Sequence, residues 1–352
     1  MNQFLYATKR AWIGKPFIDT VFILLPPFLS LLIIVLFPRL FQNNNHVPDS
    51  LWVILILLID VAHVYSTLYR TYFDKHMVVR QRNLLILIPV LSFVASVLVY
   101  SSSAFLFWRL LAYLAVFHFV RQQYGFMRLY SRKEQAPRWM VMTDKVVIYY
   151  ATIYPLIYWH LSGPRNFNWF ISGDFMYISS ALLLKCATAF YYAVVACYLI
   201  KEIIFVYLYR EVNIPKIAVI SGTIISWYFG IVYFNGDLAF TLLNVVSHGI
   251  PYMALVWIYS RKEVAAKGSP FGRSFSLLFS LMGFLAVIFL LAYLEEALWD
   301  IFLWKEHQHI FGTYQPEVNE MLLCFIIALL AVPQITHYII DGYIWKLKRQ
   351  QK

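Results

Sequence analysis

The chain has 352 residues, of which 61% are hydrophobic and 13% charged, with a formal net charge of +11. A soluble domain carries closer to about a quarter charged residues, so an ordinary soluble fold is excluded. A nucleic-acid-binding domain is excluded too, because the basic residues fall in short loops between apolar runs, where cytoplasmic loops of membrane proteins carry them.

The polar, basic stretch from Met1 to Lys15 leads into a first apolar run at about 17–38. That run lacks a small-residue cleavage site and reads as a retained helix, not a removed signal peptide. Further runs follow at about 51–69, 84–102, 104–127, 145–162, 177–200, 216–234, 238–259, 275–297 and 318–344. Each is near the length of roughly 20 residues that crosses a hydrocarbon core of about 30 Å. Only helices satisfy their own backbone groups in lipid, so each run is expected to be a helix. Ser101, Ser102 and Ser103 mark a tight turn between the third and fourth. The expected fold class is all-α, a polytopic transmembrane bundle of about ten helices forming a single integral membrane domain over 1–352. Aromatic residues make up 19% of the chain, and Tyr and Trp favour membrane interfaces.

The charges orient this bundle. Alternate loops hold Lys9, Arg10 and Lys15; Arg70, Lys75, Arg80 and Arg82; Arg121, Arg128, Arg132, Lys133, Arg138 and Lys145; Lys201, Arg210 and Lys216; Arg261, Lys262, Lys267 and Arg273; and Lys346, Lys348, Arg349 and Lys352. The opposite segments hold only Arg39, Arg165 and Lys305. The positive-inside rule then places both termini in the cytoplasm. The outer segment after the ninth run is acidic, with Glu295, Glu296, Asp300, Glu306, Glu317 and Glu320 beside His307 and His309. Cys186, Cys197 and Cys324 lie inside apolar runs, so no disulfide framework is expected.

Ionisable groups inside a membrane helix are costly and face the bundle interior. The second run contains Asp60 and His63, the fourth His118 and Gln122, the eighth Asn244 and His248, and the tenth His337 and Asp341. Residues three or four apart share a helix face, so each histidine gains a polar neighbour that serves as a second ligand or orients its ring. All four helices run from outside to inside, and the four histidines fall at compatible depths, at or below the midplane on the cytoplasmic side. His63, His118, His248 and His337 are therefore the candidate metal ligands, with Asp60, Asp341, Gln122 and Asn244 as candidate catalytic partners. His160, His307, His309 and His76 read as structural or solvated groups. Glu295 and Glu296 read as the start of a loop, and Lys185 as a residue that snorkels or meets a carboxylate. Arg70, Arg121 and Arg128 fit either a lipid phosphate or a topology role.

Imidazoles with one or two carboxylates suit iron, copper or zinc. Non-haem iron with dioxygen, acting on a membrane lipid or another hydrophobic small molecule and fed by a redox partner on the cytoplasmic side, is the expected chemistry. The fragments Phe117-His118-Phe119 and Ser247-His248-Gly249 resemble the histidine-centred signatures of the Brp/Blh-type carotenoid dioxygenases. That resemblance implies a polytopic fold holding iron through histidines on several helices; the spacing between the motifs differs, so no substrate is carried over. The stretches from Asp60 to Asp74 and His118 to Gly125 are also similar to segments of bacterial membrane proteins, which implies a bacterial inner membrane. Three rivals stay open: haem b or another transition metal between paired histidines, a proton-coupled transporter with a relay of Asp60, His63, His337 and Asp341, and a metal-free lipid-modifying enzyme with His337 or His248 as general base.

Overall fold

A computed structural model of the chain describes residues 11–42, 47–267 and 280–345. Lys9, Arg10, Arg273 and the basic C-terminal residues Lys346, Lys348, Arg349 and Lys352 lie outside this set. Among the described residues all regular structure is helical, as the sequence predicts. The main helices are α1 (Pro16–Leu24), α2 (Pro26–Leu36), α3 (Asp49–Arg70), α4 (Arg82–Ser102), α5 (Ala104–Ser131), α6 (Arg138–Ser162), α7 (Ala181–Tyr209), α8 (Ile214–Tyr233), α9 (Asp237–Lys267), α10 (Leu281–Trp304) and α11 (Glu320–Ile344).

Eight of these are long and apolar enough to cross a membrane, and nine if α1 and α2, bent by 52° at their junction, form one span. The bend has a local cause. Pro26 and Pro27 remove two backbone donors and stop the first helix, while suiting the opening turn of the next. The fifth run does form a helix, α6, but Asp144, Lys145, His160 and its tyrosines keep it out of this apolar set. The ninth run differs more. The helix begins at Leu281 and continues past the predicted end at 297 through a π-helical turn, Asp300–Trp304. Glu295, Glu296 and Asp300 therefore lie within a helix and are buried, not in an outer loop.

The chain divides into two compact units, residues 1–47 with 119–251 and residues 48–118 with 252–352. Helices α5 and α9 each contribute one end to either unit.

In the first unit α6 packs along α7 and α8, and α2 packs on α8. Gly222 makes the last contact possible: a Cβ there would stand 2.6 Å from Cγ of Pro27. Where α6, α7 and α8 meet, five charges are buried together. Lys216 reaches Glu134 at 2.8 Å, Glu202 at 3.1 Å and Asp144 at 3.2 Å. Lys201 reaches Glu202 at 2.6 Å and also pairs with Asp144. Asn213 caps the start of α8 and donates to Glu134 at 2.8 Å. Lys201 and Lys216 thus belong to a buried ion-paired cluster instead of a solvated loop. Taking such charges out of water is tolerable only because each meets opposite charge and hydrogen bonds.

In the second unit α11 packs along α4 and α10 against α3. Small residues Ser92 and Ser96 on the buried face of α4 allow close approach, and Cys324 of α11 donates to the Val97 carbonyl at 3.7 Å. The opposite face of α4 exposes Ile86, Leu87, Val90, Leu91, Val94 and Leu98, a surface suited to lipid. The core around α3 comprises Leu57, Val61, Ala62, Tyr69, Tyr252, Val256, Phe284, Ile288 and Ala292. Helix α3 is irregular: π-helical over Val53–Val61, α-helical over Ala62–Ser66 and 3₁₀ over Thr67–Arg70. Such departures from regular winding recur at functional positions. The three cysteines are free, as expected.

Candidate metal centre

Three of the four histidines meet inside the second unit. His63 on α3, His118 on α5 and His337 on α11 are each at most 2% exposed, and each offers a ligand nitrogen within 4.8 Å of the others. His337 is central. Its ring lies 4.5 Å from that of His118 and 4.9 Å from that of His63, centroid to centroid. Tyr338 stacks on His118 at 5.0 Å, and Tyr252 meets His337 edge-on at 5.1 Å.

Each ring faces an oxygen through Nδ1. His337 Nδ1 lies 2.7 Å from Thr67 Oγ1, His63 Nδ1 3.6 Å from Asp60, and His118 Nδ1 3.7 Å from Asp341. Nε2 of His118 and Nε2 of His337 stand 3.1 Å apart. Tyr252 also hydrogen-bonds to Asp341, and its hydroxyl is 3.1 Å from Thr67 Oγ1. Two ring nitrogens at 3.1 Å are bridged either by one N–H donating to the other's lone pair or, where both are bare, by a cation between them. The separation fits a metal ion: with metal–nitrogen bonds of about 2.1 Å, two ligand atoms at a right angle stand about 3.0 Å apart. A shared proton is the other cation that fits.

The polar neighbours expected from spacing are only partly paired as the sequence suggests. Asp60 lies 3.6 Å from Nδ1 of His63 on its own helix. Asp341 lies 3.7 Å from Nδ1 of His118 on another helix, while Nδ1 of His337, one turn away, meets Thr67. Gln122, Asn244 and His248 belong to the first unit. There Gln122 donates to the His248 carbonyl at 2.9 Å, and Asn244 donates to the Phe240 carbonyl at 3.0 Å beside Gly230. Neither amide holds an imidazole through these bonds. His248 is fully buried, with its ring flat against Phe119 at 3.4 Å.

Sequence reasoning missed Thr67, whose role depends on lateral packing, and Glu295. Glu295 is buried in the second unit and accepts from Trp299 at 3.1 Å and Gln334 at 3.3 Å, with a further bond to Tyr65. It interacts electrostatically with Asp60, so the polar region extends beyond the histidines. Of the residues set aside, Asp74 caps the short helix Lys75–Arg80 and His76 is exposed. His307 and His309 share the carboxylate of Asp49 at 3.3 and 3.1 Å.

No family model, no curated protein and no solved structure matches this chain.

Proposed function

We propose that this chain is an integral membrane metalloprotein that holds a transition-metal ion through His63, His118 and His337. His248, the fourth histidine expected from the sequence, belongs to the first unit and is not part of this set. The single observation that carries the reading is the buried convergence of three ring nitrogens within 4.8 Å of one another, with Nε2 of His118 and Nε2 of His337 3.1 Å apart. An outer oxygen partner such as Thr67 gives His337 is typical of metal-ligating histidine.

Imidazole donors with Asp60 and Asp341 behind them fit iron, copper or zinc, and iron gives the chemistry proposed: oxygenation of a lipophilic substrate reached from the bilayer. Dioxygen cleavage of a carbon–carbon double bond places one oxygen atom on each fragment and needs no external electrons. Hydroxylation takes one oxygen atom into the substrate, reduces the other to water, and needs two electrons from a donor on the cytoplasmic side. The first route is the one suggested by the resemblance to carotenoid dioxygenases, which rests on two histidine-centred fragments. A haem is disfavoured, since rings 4.5 and 4.9 Å apart leave no slot for a macrocycle between them. The proposed topology is ten spans with both termini in the cytoplasm of a bacterial inner membrane, α6 serving as the Tyr-rich span.

The test is metal analysis with an absorption spectrum on the purified protein. Stoichiometric iron without a Soret band supports the reading, and a Soret band sinks it in favour of haem. The second cation that fits, a proton shared by His118 and His337, supports a proton-coupled carrier. Substrate flux in proteoliposomes of metal-free protein would select that alternative.

A further inference from the structure

A second site lies in the first unit, in the outer half of the proposed topology. Helices α6, α7 and α8 enclose a laterally open cleft of about 630 Å³, lined among others by Tyr154, Tyr158, Lys185, Thr188, Tyr192 and Tyr228. Its volume falls in the range of small-molecule sites, roughly 300–1,000 Å³. No Asp or Glu lines it.

The hydrogen-bond directions leave the cleft rich in donors. Thr188 gives its proton to the Leu184 carbonyl at 2.8 Å, so Tyr154 donates to Thr188 at 3.0 Å. Tyr192 and Tyr228 share one hydrogen bond at 3.0 Å, and whichever donates, the other hydroxyl proton is left over. Arg165 donates to the Tyr158 oxygen, leaving that hydroxyl proton over as well. Lys185 adds an ammonium that makes no ion pair among the described residues. Two hydroxyl donors, one cation and no carboxylate make a pocket for an anion.

Depth and openness indicate what carries the anion. Helix α7 has 29 residues, a length of about 44 Å at 1.5 Å per residue, against a hydrocarbon core of about 30 Å. Lys185, in its second turn from the outer end, therefore stands at headgroup level. The same helix exposes Leu182, Leu183, Phe190 and Leu199 on its outward faces. We propose that this cleft binds an anionic lipid, its charged headgroup on Lys185 and the tyrosine hydroxyls and its chains along α7. The inference rests on the membrane placement of α7 and is independent of the metal centre.

The test uses the full-length protein in nanodiscs of equal parts phosphatidylglycerol and phosphatidylcholine, with bound lipid read by native mass spectrometry. Phosphatidylglycerol should be retained in preference, and Lys185→Ala should lower its retention about fivefold, as expected for removing one cation near an anionic surface. Lys185→Arg should keep it, and Tyr192→Phe with Tyr228→Phe should weaken it. If Lys185→Ala does not fold, Lys185→Gln set against Lys185→Arg decides in its place. Metal content should stay at the wild-type value in every folded variant, which separates failure here from failure of the metal reading. Equal retention of the two lipids, or retention unchanged when the charge is removed, overturns the proposal. So does displacement of the lipid by inorganic phosphate, which would assign the cleft to a free anion.

Discussion

Thr67 and His337 meet at 2.7 Å, Oγ1 to Nδ1, across two helices. Thr67 Oγ1 also lies 3.1 Å from the Tyr252 hydroxyl, and when its proton goes there the threonine accepts from Nδ1 and leaves Nε2 of His337 bare. Thr67→Val is isosteric but cannot accept. It should weaken metal binding by about 10- to 100-fold, the usual effect of removing an outer partner of a ligating histidine. Thr67→Ser should restore most of it. Titration of metal-depleted protein in detergent measures both, and equal affinity in Thr67→Val and wild type would remove the tautomer argument.

Asp341 carries a matching expectation for His118. Asp341→Asn keeps the shape but can turn an N–H towards the ring, so metal affinity should fall by a similar factor of about 10–100. Asp60→Asn should act through His63 in the same direction. Tyr252→Phe should be milder, since it removes one link of the chain and leaves Asp341 and Thr67 in place.

Gln122 and Asn244 are expected to behave differently from the carboxylates. Both donate to backbone carbonyls that already accept a helix N–H, so Gln122→Ala and Asn244→Ala should cost stability of about 0.5–1.5 kcal/mol by losing one hydrogen bond each, while the folded protein keeps its metal. Thermal unfolding alongside metal content separates the two effects. Loss of metal in Asn244→Ala at unchanged stability would return Asn244 to the centre.

The five-charge cluster of the first unit supplies a stability test remote from any chemistry. Lys216→Met strands Glu134, Asp144 and Glu202 against a single remaining lysine, and should destabilise by about 3–5 kcal/mol. The measurement is unfolding in detergent as a function of denaturant. A Lys216→Met protein as stable as wild type would show that the carboxylates take up protons at little cost.

What could be read from the sequence followed from properties of single helices. His63, His118 and His337 stood out because an ionisable group in an apolar run is costly wherever it points. Asp60 and His63, both on α3, do stand close, at 3.6 Å. Asp341 was placed beside His337 by the same four-residue rule and also lies 3.7 Å from His118, because spacing within one helix carries no information about which neighbour packs alongside. Thr67 escaped notice for the same reason, as threonine is common in helices of every kind. Lys201 and Lys216 passed for loop charges because their cancelling partners sit on other helices. Glu295 passed for the start of a loop because a hydropathy run stops at a carboxylate, whereas a helix need not when Trp299, Gln334 and Tyr65 satisfy it.

The most direct test of the central claim is the metal-to-protein ratio of the purified wild-type chain, measured beside His118→Ala and His337→Ala prepared identically. One transition-metal ion per wild-type chain is expected, and almost none in either variant. A wild-type chain that purifies without metal and binds none on titration, or variants that keep the full complement, would contradict it.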